Sequence, residues 1–291
     1  MKNGLKTGVL LAALAGLMML FGTFFGRGGI TIAFFISLVM IGGSYFFSDK
    51  LAIRAAKAVE VTPQQLPEYF TTMQELTTVT GMPMPKLYVS PEQQPNAFAT
   101  GRGPKHAAVC VTEGLLKTLS WDEIRGVLAH ELAHIKNRDV LIWSIAATIA
   151  TTISYAANMA MWSSMGSRGR SSNRDNGNPF ILIGFALLAP MAASLIRMAV
   201  SRSREFEADR DAAQMLGTGE PLASALEKLN GFSKQIPSQV PPPQASHYIV
   251  NPLSNRKVTL ANLFSTHPAA EERIRRLRAE HPGGPIQDAI R

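Results

Sequence analysis

The sequence predicts an α+β fold, mainly α, in which transmembrane helices are interleaved with one folded domain that carries a small β-sheet. Three observations predict it. Long uncharged apolar runs recur along the chain, short segments of strand-like residues cluster before residue 112, and a well-capped amphipathic helix follows them. The bulk numbers agree. The 291 residues have a mean hydropathy of +0.07 and 17% charged residues, too apolar for an ordinary soluble chain and too polar for one lying wholly in lipid.

Taken in order, residues 1–50 hold two uncharged runs, Thr7–Gly26 and Gly28–Ser48. Each is about 20 residues, enough to cross a hydrocarbon core. They predict a membrane hairpin turning at Gly26-Arg27-Gly28-Gly29 rather than a cleaved leader, because a second full-length run follows at once. Residues 51–139 form the first part of the folded domain. Glu68–Thr80 has helical periodicity, and Lys86–Ser90, Asn96–Thr100 and Ala107–Val111 have strand composition. Ser120-Trp121-Asp122-Glu123 has the form of a capping box. It opens a helix whose apolar positions are Ile124, Val127, Leu128, Leu132 and Ile135. Residues 140–198 predict a second hairpin from the runs Val140–Gly166 and Asn178–Ile196, divided by a polar loop. Residues 199–291 complete the domain. They contain a Pro-rich loop at Ile236–Pro243 and a charged helix at Thr266–Ala279.

The net charge of +8 has no nucleic-acid motif beside it, and basic residues flank the apolar runs, so it points to a lipid bilayer and not to nucleic acid. The single cysteine, Cys110, excludes an intrachain disulfide. Set in the apolar run Ala107–Val111, it reads as a buried small residue.

The chemistry is concentrated in His130-Glu131-Leu132-Ala133-His134. Histidines at i and i+4 share one helix face and can hold one metal ion, while the glutamate between them can serve as general base toward water. A catalytic zinc needs a third protein ligand. His106, His247, His267, His281 and the carboxylates are available. Within Ser201–Asp209, Glu205 and Asp209 also lie at i and i+4, which suits one carboxylate for the metal and the other for the spare ring N–H of a ligating histidine.

These elements together resemble the HtpX-type membrane zinc endopeptidases, bacterial relatives of the CAAX prenyl protease. The likeness extends over nearly the whole chain: the N-terminal hairpin, Asn96-Ala97-Phe98-Ala99, the His130–His134 motif, two apolar segments, then Ser201-Arg202 and Glu205-x-x-Ala208-Asp209. It implies a zincin-type catalytic domain with one zinc ion per subunit, bound by His130, His134 and Glu205, with Asp209 behind the ligands. It also implies that His267 and Arg273, in His267-Pro268…Glu272-Arg273, assist Glu131 by stabilising the carbonyl oxygen of the intermediate.

Asn96, Ala97, Phe98 and Ala99 are expected to hold protein or peptide substrates as an added strand. The metal ligands must lie on one membrane side, so the third and fourth runs must both cross or both stay out. The Lys/Arg bias places the catalytic domain on the cytoplasmic side, and the resemblance implies the inner membrane of a bacterial cell. The implied role is stress-related quality control of membrane proteins. A narrow prenyl-peptide protease and a non-catalytic scaffold are the alternatives.

Overall fold

A computed structural model describes residues 12, 16, 26–140, 202–235 and 268–281. Helix α1 (Gly26–Ala55) covers the second uncharged run in one piece. Gly26–Gly29, expected as a turn, instead opens this helix. A helix satisfies its backbone polar groups internally, which apolar surroundings require. Large side chains along α1 are exposed, among them Phe34, Phe35, Leu38, Val39, Phe46 and Phe47. Among the described residues, no helix is long and apolar enough to cross a membrane. The first, third and fourth apolar runs lie essentially outside the described residues.

The sheet contains β1 (Val59–Glu60), β2 (Lys86–Ser90), β3 (Ala97–Gly101) and β4 (Ala107–Thr112) in the order β1-β2-β4-β3. β2 runs parallel to β4, with Leu87 opposite Val109. The two outer pairs are antiparallel, with Ala99 also opposite Val109. β4 is buried along its whole length, consistent with its unbroken apolar sequence. Gly101, at φ +126°, makes the β3–β4 connection possible. A Cβ there would fall 2.1 Å from the His106 carbonyl oxygen.

Helix α2 (Pro67–Thr80) has proline in its first turn and ends on Gly81 in the left-handed conformation. It buries Tyr69, Met73 and Leu76, and the Tyr69 hydroxyl donates to the Val109 carbonyl at 3.2 Å, fastening α2 to the sheet. The short α3 (Glu113–Thr118) leads into α4 (Trp121–Asn137). α4 begins with the expected capping box: the Ser120 Oγ accepts from the Glu123 N–H, and Glu123 accepts from the Ser120 N–H.

α4 is the central element. It packs against β3, α2, α5 (Arg202–Leu216) and α6 (Glu220–Gln235), and α7 (Ala270–Glu280) covers α6. From Gly126 to Ile135 every residue is buried. Gly126 allows the close crossing with α6, because a Cβ at 126 would lie 2.5 Å from the Leu222 nitrogen. The cap is also tied to α6: Ser224 Oγ donates to Glu123 at 2.6 Å and Lys228 Nζ at 2.8 Å. Helix α7 starts at Ala270, four residues later than its sequence pattern predicts, with Pro268 just outside it.

Candidate active site

Burial of α4 on all sides removes its two motif histidines from water. His130 and His134 are each 1% exposed, and their Nε2 atoms lie 3.1 Å apart. α5 crosses this face and inserts Glu205, fully buried, with Oε1 3.5 Å from His134 Nε2 and Oε2 3.8 Å from His130 Nε2. Among the described residues these three form the group able to hold a metal ion. His106 and His281 do not join it. His247 and His267 lie outside the described residues.

The triangle is a good fit to a small divalent ion. Tetrahedral ligands at about 2.0–2.1 Å from zinc stand roughly 3.3 Å from one another. The histidine pair, 3.1 Å apart, and the two carboxylate oxygens, Oε1 at 3.5 Å from His134 and Oε2 at 3.8 Å from His130, lie close to that spacing. Two imidazoles and one carboxylate are also a donor set that zinc favours.

The ring nitrogens facing away from the triangle meet carboxylates. Asp209, one turn after Glu205 on α5, places Oδ1 3.0 Å from His130 Nδ1. Asp139 places Oδ2 3.3 Å from His134 Nδ1. Each carboxylate favours the tautomer with its proton on Nδ1, which leaves Nε2 as an electron-pair donor.

Asp139 is not among the residues that the sequence pattern singles out. Its signal is the spacing after His134: the chain leaves α4 through Arg138 in the left-handed conformation, at φ 60°, and this turns Asp139 back onto the helix end.

Arg273, from α7, is 1% exposed. It grips Asp209 with two hydrogen bonds, Nε to Oδ2 at 2.8 Å and Nη2 to Oδ1 at 2.7 Å, and its Nη1 lies 3.7 Å from Glu205 Oε2.

These charges set the protonation states. Burial, with His134 and Arg273 beside it, brings His130 down to about 4, so its ring is neutral as metal binding requires. Burial also disfavours a charged His134, but the bond to Asp139 and the nearby Glu205 and Glu131 outweigh it and move His134 upward. Burial pushes the Asp209 carboxyl up, while Arg273 and His130 more than reverse this and hold it at about 2. Cys110 is raised to about 12, chiefly by burial, and is an inert core thiol.

Glu131 points from α4 toward β3, where its Oε2 accepts the Ala99 N–H at 2.8 Å. The expected substrate segment therefore lies beside the expected base. Among the described residues β3 pairs only with β4, and Asn96, Ala97, Phe98 and Ala99 are all buried. Glu207 on α5 is exposed and turned away from the cluster.

Residues 63–281 match the model of "Peptidase family M48". The chain is 50% identical to "Protease HtpX homolog" of Desulforapulum autotrophicum over 280 residues, 96% of this chain and 90% of the relative. It is also 50% identical to the protein of that name from Syntrophobacter fumaroxidans, covering 96% of this chain and 100% of the relative. The crystal structure of S. mikatae Ste24p has a similar fold, with a TM-score of 0.51 at 20% identity, over 95% of this chain and 65% of that one. His130, His134 and Glu205 form a candidate metal site, and the chain belongs to peptidase family M48, a family of metalloproteases.

Proposed function

We propose that the protein is a zinc-dependent endopeptidase of the bacterial inner membrane, cutting protein or peptide substrates on the cytoplasmic side in the quality control of membrane proteins. The observation that carries this reading is the spacing of the three donors: His130 Nε2, His134 Nε2 and a Glu205 oxygen within 4.8 Å of one another, all buried. When bound there, zinc supplies a Lewis acid for the scissile carbonyl and acidifies a water.

The chain's own groups do the rest. Glu131 takes a proton from the attacking water and hands it to the leaving amine. β3 receives the substrate backbone along its outer edge, and main-chain pairing gives a wide choice of sequences. Because Ala99 N–H already donates to Glu131, substrate pairing there and repositioning of the base are one event. Asp209 holds the His130 ring. The resemblance gives Arg273 a part in stabilising the carbonyl oxygen together with His267. Its two hydrogen bonds to Asp209 and its approach to Glu205 favour a positioning role for Arg273 instead.

The exposed aromatic and aliphatic side chains of α1 and the absence of charge from Gly28 to Ser48 support a membrane setting. Lys50, Arg54 and Lys57 at its C-terminal end support a cytoplasmic location for the catalytic domain. The test is casein cleavage by the purified full-length protein, before and after a chelator and again after zinc is restored. Activity that disappears and returns supports the reading. Cleavage indifferent to the chelator contradicts it, and cleavage of prenylated peptides alone favours the narrow-substrate alternative.

A further inference from the structure

We infer that Asp139 and Arg204 are a positioning pair that orients His134 and couples it to the placement of Glu205. The inference rests on the reading of His130, His134 and Glu205 as metal ligands. Asp139 is 1% exposed, and its Oδ2 lies 3.3 Å from His134 Nδ1. Its other oxygen, Oδ1, lies 3.6 Å from Arg204 Nη1, and Arg204 is itself buried.

Burying a carboxylate and a guanidinium is costly unless each faces the other or another polar group. Here the carboxylate faces both an imidazole and a guanidinium. The arrangement is a looser counterpart of the one at His130: Arg273 holds Asp209 with two hydrogen bonds, whereas Arg204 approaches Asp139 as an ion pair without a hydrogen bond. Each of the two histidines thus meets an aspartate that has a buried arginine beside it.

The placement along the chain gives the second half of the inference. Arg204 directly precedes Glu205, on the first turn of α5, and Asp139 comes after the left-handed turn that ends α4. The two stand on either side of residues 141–201, so their contact sets the register in which α5 brings its carboxylate to the histidines. The nearby bond from Asn137 Nδ2 to Asp211 Oδ2, 3.0 Å, also joins the end of α4 to α5 but touches neither histidine. It provides a control for helix docking alone.

The experiment uses full-length protein in detergent with zinc and, separately, cobalt(II). Zinc affinity is read by competition with a chromophoric chelator, and ligand geometry by the visible cobalt absorption. Asp139→Ala is expected to weaken zinc about 10- to 100-fold and to move the cobalt band, as loss of a partner behind a metal ligand does. Asp139→Asn retains an acceptor for the ring N–H and is expected to lose less than about tenfold, with the band near its original position. Arg204→Ala is expected to weaken zinc by a smaller factor, and to add little once Asp139 is already alanine. It also carries the test should Asp139→Ala not fold. Asn137→Ala is expected to change neither reading. Wild-type affinity and an unchanged band in Asp139→Ala, or a loss in Asn137→Ala as large as in Arg204→Ala, overturns the inference while leaving the metal site in place. A wild-type protein that takes up no zinc overturns the inference and the underlying metal reading together.

Discussion

Replacing Asp209 with alanine separates the structural demands of this site from its metal chemistry. Arg273 is 1% exposed and spends two short hydrogen bonds on Asp209. Removing one member of a buried ion pair costs about 3–5 kcal/mol, because the remaining charge has lost its compensation. Glu205 stays 3.7 Å from the guanidinium and supplies part of what is lost, which places the expected cost near the lower end, about 3 kcal/mol. For a domain of this size that corresponds to a fall of roughly 6–12 °C in melting temperature. The assay is thermal unfolding of the metal-free protein in detergent, where no zinc can mask the effect. Asp209→Ala combined with Arg273→Met removes the stranded guanidinium and should regain part of the loss, the remainder reflecting Glu205, which then lacks its cation. A drop below about 1 kcal/mol for Asp209→Ala, or a double variant no more stable than the single one, refutes the claim that an uncompensated Arg273 is the cause.

Glu131→Gln should keep full zinc while proteolysis falls at least 10²–10⁴-fold, the range for a lost general base; brisk cleavage by a zinc-loaded Glu131→Gln protein would remove Glu131 from the mechanism. Gly126→Ala should destabilise by about 1–3 kcal/mol, because its new Cβ meets the backbone of Pro221 and Leu222, and an unchanged denaturation midpoint would contradict the close α4–α6 crossing. Glu123 is burdened by burial, yet its bonds to Lys228, Ser224 and Ser120 hold it at about 2, below its ordinary 4.5. A depressed carboxylate stabilises the fold above the unfolded value, and that contribution fades as pH falls from about 4.5 toward 2. Glu123→Gln should therefore flatten the acid limb of the stability curve, and equal acid sensitivity in wild type and variant would count against the network.

Much of the site was legible because its chemistry is local in sequence. A histidine pair at i and i+4 needs only a helix, and Ser120 with Glu123 announced one. The same spacing related Glu205 to Asp209, and α5 puts both on the face that meets α4. What the sequence could not convey depends on contacts between elements. The β2–β4 pairing is parallel and skips β3, which no local pattern encodes. α6 has ordinary helical composition and no motif to mark it, although it carries the partners of Glu123. The short β1 and α3 are too brief to establish a period. Asp139 was hidden because its role depends on a left-handed Arg138, a conformation that residue seldom adopts. The reading of Arg273 as an oxygen-stabilising group came from resemblance, whereas its grip on Asp209 came from the fold.

Zinc stoichiometry in purified Glu205→Ala, set beside Glu207→Ala, is the most direct test of the central claim that a buried His130–His134–Glu205 triangle holds the catalytic metal. Both substitutions remove a carboxylate from α5, but Glu205 lies within 4 Å of both histidine Nε2 atoms and Glu207 is exposed. After dialysis, wild type and Glu207→Ala should retain about one zinc per chain and cleave casein, while Glu205→Ala should lose both metal and activity. Full zinc occupancy in Glu205→Ala, or loss of zinc from Glu207→Ala, would contradict the assignment.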